Sequence, residues 1–406
     1  MSAHEMTTID GCMHVLKSRD LRQALYDEAA LMMEHALVNL HGAEHRARRN
    51  VEAKVFRKDV FLRYEKEVLP ATLEETIAPY LEAGRGDLVD IGYRIMMNLT
   101  VDFTGIDRAE RSAEETEELI RLLKEFSLAP ALGQSRGDDV EDKKARIRAA
   151  MATFSERFLE PSIARRETLI ADVEAGRLAD DALPRDVLTM LLREREAIGL
   201  SEEALLQEGI FYVLAGAHTT IHSLSHAVHE LLTWLDAHPE DIARLREDPF
   251  FIQQCVFESL RLHPSSPVAR RRALCPVHLP EGEDIAAGDA VTANLYEANR
   301  DETIFGADAG SFNPRRHVEG KVAPHGVSMG MGMHACLGRN LAIGVEPRPG
   351  TSADDHQFGI VPLIVRALLQ AGVRPDPEGK ARKDETITRI TWAEYPVLLR
   401  PEEALL

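Results

Sequence analysis

Apolar positions recur every three to four residues along most of the first 263 residues, which is the spacing of amphipathic helices. Ser201, followed by Glu202 and Glu203, predicts the start of a long apolar helix that extends to about Ala237. A later helix is predicted to end at Leu262, because the proline of the His263-Pro264 pair disfavours helix before it. The same periodicity predicts further helices over residues 16–26, 51–71, 88–105, 113–128, 143–175 and 184–198.

The pattern changes after Pro264. Short runs typical of strands occupy residues 268–273 and 290–295, with Gly and Pro punctuating the chain around them. Helical spacing returns after Cys336 and over 360–371, and the segment 386–399 is typical of strands. We therefore expect a mainly α fold with small β-sheets in one domain over residues 1–406, helix-rich over 13–263 and mixed over 264–406.

Composition excludes some classes of function. The chain has 406 residues, 44% of them hydrophobic, and a net charge of −19, which disfavours binding to nucleic acid or to an anionic membrane. No stretch reaches the roughly 18 apolar residues of a membrane span. The first residues contain no apolar signal core, so a cytoplasmic location is expected. The four cysteines include no Cys-x-x-Cys pair and suggest no disulfide framework.

The densest motif surrounds Cys336, with glycines at Gly330, Gly332 and Gly338. Glycine permits backbone bends closed to other residues and lets another group approach closely. A thiolate at the start of a helix is stabilised by amide N–H groups and can serve a metal as an anionic ligand. A lone cysteine among scattered glycines is, however, more often a buried cysteine in a turn.

The complete pattern resembles the cysteine loop of the cytochrome P450 family, Phe-x-x-Gly-x-x-x-Cys-x-Gly. Gly332, Cys336 and Gly338 stand in register, and Met329 replaces the usual Phe. The resemblance implies a haem-thiolate fold that binds haem b, with Cys336 as the iron ligand and His334 as a partner of a haem propionate. A thiolate ligand pushes electron density onto iron and favours O–O cleavage.

Two structural motifs support this resemblance. Glu258-Ser259-Leu260-Arg261 matches the family's Glu-x-x-Arg, whose i,i+3 spacing puts both charges on one helix face. Phe312-Asn313-Pro314-Arg315-Arg316 resembles the segment that follows it in the family. The resemblance implies an ion-paired triad of Glu258, Arg261 and Arg316 that maintains the fold.

Further basic residues are expected to contact the haem carboxylates. His45 and Arg49 match the family's His-x-x-x-Arg helix, and their i,i+4 spacing aims them the same way. Arg271, in a run of three arginines, is a third expected contact. Without the cysteine loop, residues 44–49 would be read as a solvated basic helix face.

The long helix carries the expected distal residues. Ala215-Gly216-Ala217-His218-Thr219 resembles the family's pattern of small residues, an acid and a threonine, with His218 in place of the acid. Ala215 and Gly216 are expected to leave room beside the haem, and Thr219 and His218 are the expected catalytic pair for proton delivery. His222, His226 and His229 continue along nearly the same face. They suit a proton relay, a separate metal site or an ordinary helix facing polar cavities.

The ends of the match differ from the family. His45 lies unusually near the N-terminus, so the first helix and the leading strands of a small sheet are expected to be shortened or absent. Prolines and a glycine within residues 346–351 are expected to interrupt the helix that follows the cysteine loop.

The resemblance implies an enzyme that inserts one oxygen atom from O2 into a small apolar organic substrate. Electrons would come from NAD(P)H through a ferredoxin reductase and a ferredoxin. The expected substrate-facing segments are mainly apolar: 31–33, 211–214, 265–269, Thr391 and Trp392. Peroxide-driven chemistry, or rearrangement or dehydration without external electrons, stays open because the acid is missing. Rivals are a haem-binding sensor or carrier, and a helical metal-binding protein using His41/His45 and His218/His222/His226.

Overall fold

Helices form most of the structure, a computed structural model that describes residues 3–129, 132, 138–279, 282, 284–385 and 389–406. The α-helices, in chain order, are α1 (Ile9–Lys17), α2 (Ala30–Met33), α3 (Gly42–Glu52), α4 (Lys58–Arg63), α5 (Leu69–Ala83), α6 (Leu88–Thr104), α7 (Ala113–Phe126), α8 (Asp138–Phe154), α9 (Glu160–Glu174), α10 (Val187–Arg193), α11 (Glu202–Val213), α12 (Thr219–Ala237), α13 (Asp241–Glu247), α14 (Phe251–Leu262), α15 (Leu295–Ala298), α16 (Glu302–Phe305), α17 (Arg339–Ile343) and α18 (Ile360–Gln370). Three π-helical turns join consecutive helices: Tyr64–Val68, Ser155–Leu159 and Leu214–His218.

The strands are short and form small sheets. They are β1 (Ala3–Met6), β2 (Leu21–Gln23), β3 (Arg85–Asp87), β4 (Val268–Ala273), β5 (Val277–His278), β6 (Asp284–Ile285), β7 (Ala290–Asn294), β8 (Val373–Pro375), β9 (Arg382–Lys383), β10 (Trp392–Glu394) and β11 (Pro396–Leu399). One sheet has the order β1-β7-β4-β2, another has β3-β11-β8, and two hairpins pair β9 with β10 and β5 with β6. The mainly α fold with small sheets that the sequence predicts is confirmed.

Contacts divide the chain into two compact units. The first unit contains residues 1–22, 61–92 and 219–406, and the second contains residues 23–60 and 93–218. In the first unit, Ile9 and Val15 of α1 share a hydrophobic cluster with Val291 of β7. In the second unit, Phe126 and Phe154 meet edge to face, with ring centroids 5.7 Å apart. The single domain expected over residues 1–406 stays a prediction.

Several predicted boundaries agree with the structure. Ser201 caps α11 by accepting the N–H of Ala204, and the long helical segment ends at Ala237. The helix predicted to end at Leu262 does so. The strands β4 and β7 occupy the two predicted strand segments.

The N-terminal region corrects one expectation. The helix predicted over residues 16–26 is wrong, because α1 ends at Lys17 and Leu21–Gln23 is a strand. Leu21 and Gln23 are buried while the residue between them is less so, which is strand periodicity that three residues are too few to reveal. Ala3–Met6 pairs in parallel with β7, so a leading strand of the small sheet, expected to be shortened or absent, is present with four residues.

Candidate haem-thiolate site

The cysteine loop of the first unit is a tight glycine-dependent turn. Gly330 and Gly332 have φ angles of +64° and +67°, a left-handed conformation that other residues rarely adopt. The N–H of Cys336 donates to the carbonyl of Met329 at 2.9 Å and closes the turn. The backbone of α1 passes directly behind this turn, so a side chain at position 332 would strike the carbonyl oxygen of Leu16. Both the bend and the close approach therefore require glycine.

Asn299 holds the segment that leads into this loop. Its Nδ2 donates to the carbonyl of Arg261 at 3.0 Å, and its Oδ1 accepts the N–H of Val327 at 2.9 Å. The hydroxyl of Ser328 donates to the carbonyl of Leu260 at 2.7 Å. The end of α14 thus fixes the start of the loop. Sequence reasoning assigned this fully buried amide no role.

The expected ion-paired triad of Glu258, Arg261 and Arg316 is present. Arg261 forms a bidentate ion pair with Glu258, with Nε–Oε2 and Nη2–Oε1 distances of 2.8 and 2.7 Å. Nε of Arg316 donates to Oε1 of the same carboxylate at 3.0 Å. Arg261 also donates to the carbonyls of Asn299 and Ala309, each at 2.6 Å. These buried charges bind helix α14 to the loops that precede the cysteine, and their structural role stays a prediction.

The four cysteines differ in access to solvent. Cys12 and Cys255 are buried, and burial raises the pKa of the Cys255 thiol well above its usual value. Cys275 and Cys336 are exposed. An accessible sulfur on a rigid glycine turn suits ligation of a metal by thiolate, so this loop fits a haem whose iron is bound by sulfur. α17 begins three residues later and is too short to add much stabilisation of its own.

His45 and Arg49 lie on α3 in the second unit. His45 is buried, and burial, followed by the nearby charges of Arg49 and His41, lowers its pKa to about 4. At neutral pH the imidazole is therefore an uncharged hydrogen-bond donor. Arg49 is partly exposed on the same helix. A neutral donor and a cation are suitable partners for carboxylates.

The other two expected propionate contacts lie in the first unit. Arg271 is buried on β4, where its Nη1 donates to the carbonyl of Arg270 at 3.0 Å. His334 ends the one-turn 3-10 helix Gly332–His334 and is partly buried. Contact of either residue with a haem carboxylate stays a prediction.

The expected distal residues span a helical irregularity. Ala215, Gly216 and His218 belong to the π-helical turn Leu214–His218 in the second unit. A Cβ atom on Gly216 would lie 2.7 Å from the methyl group of Thr100, so α6 permits only glycine there. Single π-helical turns are frequent at functional sites, because they re-aim side chains within a helix.

Thr219 begins α12 in the first unit, and its carbonyl oxygen binds two hydroxyl groups. Ser223 donates to it at 3.0 Å and Ser265 at 2.9 Å. The two serine oxygens lie 2.9 Å from each other. These bonds attach the start of α12 to the loop after α14 and fix the backbone that carries Thr219.

The histidines that follow attach α12 to the C-terminal segment of the first unit. Nδ1 of His222 lies 2.6 Å from the hydroxyl of Thr391, and Nε2 of His226 lies 2.9 Å from the carbonyl of Ile390. Nδ1 of His229 lies 2.9 Å from the hydroxyl of Tyr395. Within the described part of the chain, no three His, Cys, Asp or Glu side chains are grouped to hold a metal ion. Of the three alternatives, the geometry favours a structural role for this stripe.

The interruption after the cysteine loop is confirmed. α17 ends at Ile343, and α18 begins only at Ile360. The N–H of Val345 donates to the carbonyl of Gln357 at 3.0 Å, so the intervening segment returns to its starting point. Gln253 donates to the carbonyls of both Ile343 and Phe358, and this buried amide anchors both ends of the segment.

No helix in the described ranges is long and apolar enough to cross a membrane.

Comparison with known proteins gives consistent results. The model of the family "Cytochrome P450" matches residues 17–344. The biotin biosynthesis cytochrome P450 of Bacillus subtilis (strain 168) is 35% identical over 158 residues, covering 39% of this chain and 37% of the relative. The putative cytochrome P450 YjiB of the same organism is 26% identical over 337 residues, covering 82% of this chain and 76% of the relative. This chain spans only 24% to 37% of the length of the first three curated relatives.

The structure of P450BioI in complex with an acyl carrier protein carrying hexadec-9Z-enoic acid superposes with a TM-score of 0.73. It is 19% identical, with 98% of this chain and 92% of that chain covered, and therefore shows the fold. Together with the family match over residues 17–344, these similarities establish that the chain belongs to the cytochrome P450 family, whose members contain haem.

Proposed function

We propose that this protein is a haem-thiolate monooxygenase that inserts one oxygen atom from O2 into a small apolar organic substrate. The exposed Cys336, on a turn whose positive φ angles at Gly330 and Gly332 favour glycine, is the observation that carries this proposal. Family membership supports the haem and the class of reaction. A thiolate-ligated haem, when bound, supplies activation of dioxygen for cleavage of the O–O bond.

Four side chains bind the haem carboxylates in this proposal: His45, Arg49, Arg271 and His334. The low pKa of His45 supports a neutral N–H donor, and the arginines supply positive charge. Gly332 and Gly338 let the backbone of the loop approach the cofactor, and the small residues Ala215 and Gly216 leave room beside it.

Thr219 and His218 deliver protons. The conversion replaces a substrate C–H bond by C–O–H and consumes one O2, two electrons and two protons, with water as the second product. The Thr219 hydroxyl holds a water molecule for proton transfer, and the His218 imidazole supplies the proton as a general acid. Serine hydroxyls bound to the Thr219 carbonyl support this role because they fix its backbone.

An apolar substrate agrees with the hydrogen bonding of two hydroxyl groups in the expected substrate-facing segments. The Ser265 hydroxyl is engaged with the Thr219 carbonyl, and the Thr391 hydroxyl with His222. Both hydroxyls thus have protein partners. The two electrons come from NAD(P)H through a ferredoxin reductase and a ferredoxin, as the family resemblance implies.

His218 also favours a second candidate function. An enzyme without the family's acid at this position is suited to peroxide, or to a rearrangement or dehydration that needs no external electrons. Turnover of apolar probe molecules, chosen by the spectral shift that they cause on binding, distinguishes the candidates. It is measured with NAD(P)H plus ferredoxin and its reductase, with peroxide, and with neither. Absence of turnover under all three conditions would favour a haem sensor or carrier.

The haem ligand is tested by the spectrum of the reduced, carbon-monoxide-bound protein. Cys336→Ala is expected to abolish the red-shifted Soret band of thiolate-ligated haem. Cys275→Ala is a matched control, because Cys275 is also exposed but lies outside the glycine turn. Retention of the band in Cys336→Ala would refute the proposed ligand.

A further inference from the structure

A buried charged cluster in the second unit joins α3 to α11. Arg48 lies between two carboxylates: its Nη2 donates to Oε2 of Glu208, and its Nε donates to Oε1 of Glu52 at 3.3 Å. The side chain of Arg48 is 4% exposed, and both glutamates are completely buried. If both carboxylates were ionised, one of the two buried negative charges would have no cation to balance it, and its desolvation would be costly.

The two carboxylates differ in their hydrogen bonds. Both oxygens of Glu52 accept donors, Oε1 from Arg48 and Oε2 from the Tyr212 hydroxyl at 2.6 Å. In Glu208, Oε2 accepts Arg48 and the N–H of Leu37 at 2.9 Å, whereas Oε1 accepts no hydrogen bond within the described residues. A buried anionic oxygen without a donor is more costly than a neutral carboxyl oxygen, so this arrangement favours a proton on Glu208 rather than on Glu52.

Electrostatics act in the same direction. Burial raises the pKa of Glu208 well above its ordinary value, and the charge of Glu52 raises it further, against the opposing influence of Arg48. Burial also raises the pKa of Glu52, but Arg48, the Tyr212 hydroxyl and Arg49 all oppose that rise. The charged and titratable groups that face the pair are therefore Arg48, Arg49 and Tyr212, and they favour ionisation of Glu52 over Glu208.

The cluster connects the residues that the proposed function assigns to the cofactor. α3 carries His45 one turn before Arg48, and Arg49 directly after it. α11 continues from Glu208 into the π-helical turn that carries Ala215 and Gly216. Since Glu208 binds both Arg48 and the chain at Leu37, it fixes α3 and the segment before it against α11.

We propose that Glu208 and Glu52 share one proton around Arg48, with the proton on Glu208, and that this clamp positions His45 and Arg49 relative to the helix carrying Ala215 and Gly216. The positioning role rests on the proposed function, whereas the shared proton does not. Glu208 and Glu52 are positioning residues, because neither is assigned a contact with the haem or the substrate.

The shared proton is tested on the full-length protein as purified. Glu208→Gln is expected to leave resistance to urea at neutral pH close to wild type, because a protonated carboxyl and an amide differ little in charge. Glu52→Gln and Glu258→Gln are expected to lower the urea midpoint clearly, because each removes an ionised partner of a buried arginine. Infrared difference spectra across pH are expected to show a protonated carboxyl band in wild type that Glu208→Gln lacks. A Glu208→Gln protein as unstable as Glu52→Gln, or one that keeps the band, would overturn the proposal.

The positioning role is tested by the rate of haem loss across pH. Ionisation of Glu208 at high pH puts a second negative charge in the clamp that Arg48 cannot compensate, so wild type is expected to lose haem several-fold faster as pH rises. Glu208→Gln is expected to remove this pH dependence while keeping the neutral-pH rate. The same pH dependence in both proteins would refute the role. A protein without thiolate-bound haem would refute the proposed function instead, and the infrared and urea results would still decide the shared proton.

Discussion

Gly332 packs so closely against Leu16 that a Cβ atom on it would lie 2.6 Å from the Leu16 carbonyl oxygen. The contact joins the cysteine loop to the last turns of α1. The φ angle of +67° at Gly332 independently disfavours any residue with a side chain at this position. The geometry of the loop therefore depends on a backbone about 300 residues earlier in the chain, since Leu16 and Gly332 approach each other only in the folded state.

Gly332→Ala is expected to disturb ligation without unfolding the protein. The left-handed conformation alone costs about 1–2 kcal/mol for a residue with a Cβ, and the contact with Leu16 forces the loop to shift. We expect a reduced yield of thiolate-ligated haem in the carbon-monoxide spectrum. Gly310→Ala is the control, because a Cβ there would meet no atom within 4 Å. Equal spectra for the two variants would contradict this account of the loop.

Glu258→Gln is expected to destabilise the first unit strongly. The carboxylate pairs with Arg261 and Arg316, and removing one partner of a buried pair costs about 3–5 kcal/mol. Urea unfolding of the purified variant measures the loss. Glu394→Gln, which breaks the exposed pair with Arg382, is expected to change stability little. A Glu258→Gln protein as stable as this control would show that the triad is dispensable.

The histidine stripe is expected to make the protein sensitive to acid. Burial, with His263 beside it, lowers the pKa of His226 from 6.5 to about 2. The folded pKa is thus below the unfolded one, so the unfolded chain binds the extra proton between these values. Stability from this group is complete above about pH 6.5 and falls by up to about 1.4 kcal/mol per pH unit below it.

His226→Gln therefore tests the acid response. The amide can still donate to the Ile390 carbonyl but cannot titrate, so its stability is expected to fall less steeply with acid than that of wild type. His278→Gln, at an exposed site, is expected to follow the wild-type curve. The test compares how steeply the free energy of unfolding in urea falls from about pH 7 to pH 5 in the three proteins. Identical slopes in all three proteins would exclude His226 as the source.

His218→Ala is expected to slow turnover, or to uncouple electron consumption from product formation, while leaving haem content and thiolate ligation intact. His218→Asp is expected to restore oxygen activation if the imidazole acts as a substitute for the family's acid. If the native reaction uses peroxide or no oxidant, His218→Asp is expected to lose it. Product formed per electron consumed is measured across pH for the three proteins. Indistinguishable profiles would show that His218 takes no part in the chemistry.

Local spacing in the sequence determined the features that depend on neighbouring residues. Helical periodicity predicted the long helix from Ser201 to Ala237, since the cap and the apolar repeat lie within the same segment. The glycines around Cys336 predicted a bent loop, and the prolines and glycine of residues 346–351 predicted the break after Ile343. Each of these follows from which backbone angles a residue type permits.

Tertiary structure alone decided which groups these elements meet. Helical spacing placed His222, His226 and His229 near one face, but their partners lie 169, 164 and 166 residues away, in the C-terminal segment. Likewise, no local pattern pairs Arg48 with Glu208, which is 160 residues distant. Periodicity specifies the direction of a side chain from its own helix axis. Its partner, and therefore its charge and chemistry, depends on long-range packing, which spacing along one segment does not encode.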